Sequence, residues 1–181
     1  MAMISLITGG CRSGKSAHAQ SLAEEIGQRR LFIATAPVLD EEMRQRVLRH
    51  REARRGAGWE TWEEERGLAE CLRRAGREKR HDVVLCDCLT LWVNNLLHAA
   101  SQEGTALEEE EMAERTREVC AAARAFPGQV FFVTNEVGMG IVPGDAASRR
   151  FRDLAGRCNR EVAKAADGVI LMVSGIPVTI S

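Results

Sequence analysis

Met3-Ile-Ser-Leu-Ile-Thr8 runs into Gly9-Gly-Cys-Arg-Ser-Gly14-Lys15-Ser16, and from there into the helical stretch Lys15–Gly27. The middle segment satisfies G-x-x-x-x-G-K-[ST] in the context that gives the pattern meaning, with an apolar strand before it and a helix after it. Glycines let successive backbone N–H groups converge on phosphate oxygens, and the start of the helix adds a positive end. Lys15 is then placed for β/γ-phosphates and Ser16 for Mg²⁺. A chance glycine turn before a helix is the plain alternative, but strand, loop and helix together leave it little room. The segment predicts a nucleoside triphosphate site.

Outward from this turn, short apolar runs alternate with helical stretches. Met3–Thr8, Leu31–Ala36, Val83–Cys86, Val130–Thr134 and Val169–Val173 read as strands buried on both faces of a parallel sheet. Lys15–Gly27, Asp40–Arg55, Leu89–Ala99, Leu107–Ala125 and Ala147–Ala165 are long enough for helices. Thr105 with Glu108 fits a capping box for the fourth of these. Gly175-Ile-Pro177 interrupts the last strand, and Val178–Ile180 is expected to add a short edge strand, which can run antiparallel. Glycines at 56, 58, 67 and 76 interrupt any long helix in Arg54–Arg80, which stays without an assignment. The alternation predicts an α/β fold over residues 1–181: one doubly wound domain, mainly parallel, with helices on both faces.

Composition narrows the function classes. The 181 residues carry 25 Lys+Arg against 26 Asp+Glu, so the basic surplus of a non-specific nucleic-acid binder is absent. No apolar run approaches the roughly 20 residues that cross a bilayer. The N-terminal run lacks a basic flank and reads as a strand, not a signal peptide, so a cytoplasmic enzyme is expected. The six cysteines hold no C-x-x-C pair, which argues for reduced thiols and against a zinc site.

Two further segments carry chemistry. Val83-Val-Leu-Cys-Asp87 ends an apolar strand in a carboxylate, as a magnesium shell beside a phosphate loop requires. Asp87 also precedes Leu89-Thr-Leu-Trp92 and could cap that helix. In Glu42–Arg54, a helix would align Arg46, His50 and Arg54 in one stripe, flanked by Arg49 and Arg51. Guanidinium groups around an imidazole disfavour its charged form, leaving a nucleophilic nitrogen among phosphate-binding cations. On spacing alone, a solvated basic face with His50 as an ordinary surface residue is the commoner reading of such a run. His18, His81 and His98 read as structural.

Together these segments resemble one family. The quoted stretches are Gly9–Ser16, Ile33–Ala36, Glu42–Arg54, Trp59-Glu-Thr-Trp-Glu63, Asp87-Cys-Leu-Thr-Leu-Trp92 with Asn94-Asn-Leu-Leu97, Val133-Thr-Asn-Glu-Val-Gly-Met-Gly-Ile-Val-Pro143, Phe151–Asn159 and Val173-Ser-Gly-Ile176. In that order they are similar to the bifunctional adenosylcobinamide kinase / adenosylcobinamide-phosphate guanylyltransferases of cobalamin assembly. The resemblance spans nearly the whole chain, and it implies a P-loop NTPase with a RecA-like sheet. It also implies phosphorylation of the aminopropanol hydroxyl of adenosylcobinamide by ATP or GTP. Transfer of GMP from GTP through a covalent GMP-histidine would follow, giving adenosylcobinamide-GDP. His50 matches the nucleophile position and Lys15 the catalytic lysine. The family's nucleotide contacts carry over onto Gly9, Gly10, Cys11, Arg12, Ser13, Gly14, Lys15 and Ser16; onto Ala34, Thr35 and Ala36; onto Arg51, Glu52, Ala53 and Arg54; and onto Glu63 and Asp87. Ser16 and Asp87 would hold Mg²⁺. Some members carry Glu where Asp87 stands. The resemblance implies a homo-oligomer, a trimer, with no nucleic-acid partner.

Two other classes stay open on the residues alone. A RecA-like motor would share the phosphate loop and the arginine-rich segment, but 5 Phe, 3 Trp and no Tyr offer few rings for base stacking. A GTPase switch would need an N-K-x-D motif. Thr134-Asn135-Glu136 only partly imitates one, without the Lys or the Asp.

Overall fold

The computed structural model describes residues 2–37 and 57–181. The expected helix Asp40–Arg55, with Arg46, His50, Arg51, Glu52, Ala53 and Arg54, lies outside the described residues. The elements in chain order are β1 (Met3–Gly9), α1 (Lys15–Ile26), β2 (Arg30–Ala34), β3 (Trp59–Glu63), α2 (Leu68–Glu78), β4 (Val83–Asp87), α3 (Leu89–Gln102), α4 (Glu109–Ala125), β5 (Gln129–Val133), α5 (Ala146–Ala165), β6 (Gly168–Val173) and β7 (Ile176–Thr179). They build a seven-stranded sheet in the order β3-β2-β4-β5-β1-β6-β7. Every pairing is parallel except that of β6 with β7, which is antiparallel. This is the doubly wound, mainly parallel α/β architecture of a P-loop fold.

Strand residues alternate between the two faces. Ile4, Leu6, Leu31, Ile33, Val84, Cys86, Val130 and Phe132 turn toward one core, filled from the helices by Leu72, Trp92, Met112, Phe126, Leu154 and Val162. Ile7, Phe32, Val83, Leu85, Phe131 and Val133 turn toward the other, where α1 contributes Ala19 and Ala23. Small residues on α1 let that helix lie close to the sheet, which fixes the direction of the turn feeding it. Five of the six cysteines are buried and unpaired in these layers or beside them, and Cys11 is exposed. No described helix is long and apolar enough to cross a membrane.

The described part of the stretch without an assignment, residues 57–80, holds a strand and a helix. β3 pairs in parallel with β2 at the sheet edge and is mostly half-buried. Trp62 holds it to α2: the Arg74 guanidinium lies 4.1 Å from the Trp62 ring centroid, and the His81 ring meets Trp62 edge-on at 5.7 Å. His81 Nε2 also lies 2.8 Å from the Glu60 carboxylate. Helix α2 buries Leu68, Cys71, Leu72 and Ala75, an i, i+3, i+4, i+7 stripe. Gly67 is its N-cap. Glu64 Oε1 accepts from the N–H groups of Arg66 and Gly67, satisfying donors at that end.

Two local expectations are corrected, and one alternative reading is set aside. The capping box at Thr105 does not form, because the Thr105 hydroxyl donates to Ala100 O and α4 starts at Glu109 with no side-chain cap. Three glutamates in the first turn of α4 complement the helix dipole instead. Strand β2 ends at Ala34 rather than Ala36, since Thr35 leaves the ladder for the β4–α3 junction. Asp87 does not cap the following helix: the N-cap of α3 is Cys88.

Phe132 is fully buried on the central strand β5. Phe132→Ala is expected to cost about 3–5 kcal/mol through lost burial and a residual cavity. A thermal melt should show Tm lowered by roughly 10 °C.

Candidate nucleotide site

Parallel strands send their carboxyl ends to one edge of the sheet, where ligands bind in folds of this kind. The register sets a row there. Glu63 lies opposite Ala34, Ala34 opposite Asp87, Asp87 opposite Val133, and Val133 opposite Ile7, two residues before the phosphate turn. Strands lie about 4.8 Å apart, so Asp87 stands roughly 10 Å along this edge from β1, and Glu63 roughly 19 Å. The expected contacts Gly9–Ser16, Ala34–Ala36, Glu63 and Asp87 therefore share one edge, with Glu63 at its far end.

The turn itself is shaped by contact as well as by conformation. Gly9 has φ +145°, and a Cβ there would meet Met172 O at 2.4 Å, so no other residue fits. Gly14 is the N-cap of α1 at φ +92°, a left-handed position. Neighbouring strand ends hold the turn in place: Glu136 N donates to Gly9 O (3.0 Å) and Gly175 N to Ser13 O (3.0 Å). The buried hydroxyls of Thr8 and Ser13 make no hydrogen bond among the described residues.

Lys15 is buried in the first turn of α1, and its Nζ donates to Gly10 O at 2.6 Å. Burial pushes its ammonium below the ordinary lysine range, against the opposing pull of nearby acidic groups that include Asp87. Ser16 follows it, half-buried. The Thr35 hydroxyl is committed internally: it donates to Cys88 O and accepts from Cys88 N, both at 2.7 Å. Asn95 Nδ2 in turn donates to Thr35 O (2.8 Å). The Ala34–Ala36 segment is thereby fixed beside β4, with the Thr35 hydroxyl turned to Cys88. Arg51, Glu52, Ala53, Arg54 and the nucleophile position His50 fall outside the described residues.

Three of the quoted motifs meet in a closed ring of hydrogen bonds. Asn135 N donates to Thr90 Oγ1 (2.7 Å), which lies 3.2 Å from Thr134 Oγ1. Thr134 donates to Asn159 Oδ1 (2.7 Å), and Asn159 Nδ2 returns to Asn135 O (3.1 Å). With Thr134's proton given to Asn159, Thr90 must donate to Thr134, so each member has one direction. The ring fixes where the chain leaves β5 and hence where Glu136 stands. Glu136 is half-buried beside Gly9, and its Oε1 accepts from Gly138 N at 2.6 Å. The sequence pattern marks the loop but gives Glu136 no role of its own; its signal is a carboxylate directly after a central strand.

Among the described residues no group of three or more His, Cys, Asp or Glu side chains could hold a metal ion. The donors expected from the sequence are the Ser16 hydroxyl and the Asp87 carboxylate, to be joined by phosphate oxygens. That donor set fits Mg²⁺, which keeps several waters and uses few protein ligands.

Residues 5–180 match the family model described as "Cobinamide kinase / cobinamide phosphate guanyltransferase". The chain is 42% identical to the "Bifunctional adenosylcobalamin biosynthesis protein CobU" of Salmonella typhimurium, over 98% of this chain and 99% of that one. The Escherichia coli K12 protein of the same name is 41% identical, over 98% and 99%. The "Bifunctional adenosylcobalamin biosynthesis protein CobP" of Pseudomonas aeruginosa is 41% identical, over 97% and 95%.

Phosphate beside Lys15 would favour its charged form and raise its lowered pKa. Triphosphate binding is therefore expected to take up protons at pH values between the free-enzyme and nucleotide-bound Lys15 pKa, and affinity should fall as pH rises through the free-enzyme value. Calorimetry in two buffers of different ionisation enthalpy measures the uptake, and Lys15→Met should remove it.

Proposed function

The chain belongs to the cobinamide kinase / cobinamide phosphate guanyltransferase family, and from that membership we propose how its residues divide the two reactions. The enzyme is bifunctional: it phosphorylates cobinamide and transfers a guanylyl group to the product. The observation that carries the site assignment is the buried Lys15 held against Gly10 O, in a turn whose backbone is set by Gly9 and Gly14. A lysine parked on a loop carbonyl is ready to exchange that oxygen for a phosphoryl oxygen.

In the kinase step, the loop amides and Lys15 bind the triphosphate of ATP or GTP and hold its terminal phosphorus toward the aminopropanol hydroxyl of adenosylcobinamide. Phosphoryl transfer has a loose transition state, so positioning and charge neutralisation do most of the work. Ser16 and Asp87 would hold Mg²⁺, which supplies neutralisation of β/γ oxygens when bound. Glu136, fixed beside Gly9 by the ring at Asn135, is placed to accept the hydroxyl proton. In the second step, a His50 ring nitrogen attacks the α-phosphorus of GTP and pyrophosphate leaves. The phosphate of adenosylcobinamide phosphate then displaces His50 to give adenosylcobinamide-GDP. Splitting the transfer lets a neutral imidazole, not an anion, displace pyrophosphate, and the anionic acceptor then meets a phosphorus that has already shed the pyrophosphate charge. Arg51–Arg54, Ala34–Ala36 and Glu63 complete the nucleotide contacts. A cytoplasmic homotrimer completes the proposal.

Incubation with α-labelled GTP should leave one acid-labile, base-stable GMP on the protein, mapped by mass spectrometry to the peptide carrying His50. His50→Ala should lose it, and adduct persisting in that variant would remove the assignment. Glu136→Gln separates the steps: the kinase rate should fall about 100-fold, within the range for a lost general base, while GMP labelling stays at the wild-type level.

A further inference from the structure

The loop from β5 to α5 is pinned at both ends and bare in the middle. At its start, Glu136 N bonds Gly9 O, and the Glu136 carboxylate accepts from Gly138 N. At its end, Arg149 Nη1 donates to Pro143 O (2.9 Å) and Gly144 O (2.7 Å), while Asp145 caps α5 by accepting from Ser148 N. Between these ties Met139, Ile141 and Val142 are 80%, 97% and 61% exposed. Three large apolar side chains held in water on a braced loop need a partner to be worth the exposure.

Gly138 also lines a pocket of about 310 Å³ with Arg152, Arg157, Arg160, Asp153 and Glu109. Arg152 Nη1 is buried without a hydrogen-bond partner among the described residues. Arg157 Nη2 is engaged by Glu110 at 3.0 Å, while its buried Nε, 3.7 Å from Glu161, makes no hydrogen bond among the described residues, so Arg152, Arg160 and the Arg157 Nε are the donors left for a ligand. The lining mixes guanidinium donors with the carboxylate acceptors Asp153 and Glu109. Such a mixture repels a bare anion less than an acidic site would, yet it suits a carboxamide better, since an amide both donates and accepts.

We infer that the loop tip Met139–Val142 and the Arg152 pocket form the docking site for the corrinoid acceptor, the tip against the face of the macrocycle and the pocket around one of its amide arms. This rests on the cobinamide reading above and deepens it. A corrin is a broad, flat, largely apolar ring rimmed with carboxamide arms, which calls for an apolar platform edged by mixed polar groups. The loop that carries the platform is tied to the phosphate turn through the Glu136 N–H to Gly9 O bond, which makes acceptor and triphosphate neighbours along one segment. Loop 134–143 would then hold the acceptor at its tip and the proton acceptor at its base.

The test compares wild type with Met139→Ser, Ile141→Ser and Arg152→Gln, using adenosylcobinamide and ATP for the kinase step and GTP alone for covalent labelling. Removing one apolar contact should raise the KM for adenosylcobinamide about tenfold, with the KM for ATP and the extent of GMP labelling unchanged. Arg152→Gln should raise the corrinoid KM in the same selective way. An unchanged corrinoid KM in all three variants overturns the docking site. So does a shift of the Ile141→Ser variant to a smaller assembly in light scattering, which would assign the tip to a subunit interface. Failure of the wild type to consume adenosylcobinamide would instead overturn the functional reading itself.

Discussion

The turn between Gly9 and Lys15 keeps its form because both strands flanking β1 press on it. From β6, the carbonyl of Met172 occupies the space a side chain at Gly9 would need, and Gly175 N ties Ser13. From β5, the chain that follows the strand donates to Gly9 O. A turn built only from glycine freedom would sample many shapes and lose entropy on binding phosphate. Here the parallel order β5-β1-β6 brings both clamps to the same edge, so sheet topology preorganises the anion site.

That same edge concentrates charge of opposite sign at short range. Lys15 is buried enough for its ammonium to be disfavoured, while acidic groups including Asp87 draw it back. The balance leaves a cation whose solvation has already been stripped, and such a cation interacts with phosphate more strongly than one exposed to water. The ring formed by Thr90, Thr134, Asn135 and Asn159 does comparable work without charge. It joins three elements through groups that are satisfied by one another, so the exit from β5 is rigid at low cost.

Much of this architecture is legible in the order of the residues. Doubly apolar runs such as Val83–Cys86 and Val130–Val133 read as buried strands by their length and β-branched content, and the glycine turn with its lysine points to both the first crossover and a phosphate ligand. What stays hidden lies where the periodic signal is weak. Trp59-Glu-Thr-Trp-Glu63 is an edge strand, half-buried, with polar residues between its tryptophans, so it lacks the apolar run of its neighbours. Leu68–Glu78 carries its stripe of Leu68, Cys71, Leu72 and Ala75, but Gly67 and Gly76 read as breakers, although the first is a cap. The capping pattern at Thr105 misleads because Ala100 O takes the hydroxyl instead. Of the site, the phosphate turn and Asp87 can be placed from the sequence. The internal commitment of Thr35 and the position of Glu136 depend on contacts between segments far apart in the chain.

The distribution of sulfur has a practical side. Cys71 and Cys158 are pushed up to about 12, Cys88 and Cys120 to about 11, and Cys86 higher than usual, all by burial away from water. Thiols of that kind form little thiolate at neutral pH and are slow with electrophiles. Cys11 alone is exposed, and it sits in the phosphate turn. The native chain therefore carries one exposed thiol in the very turn that phosphate would occupy, so alkylation there and nucleotide binding should exclude one another, and nucleotide should shield Cys11 from an electrophile.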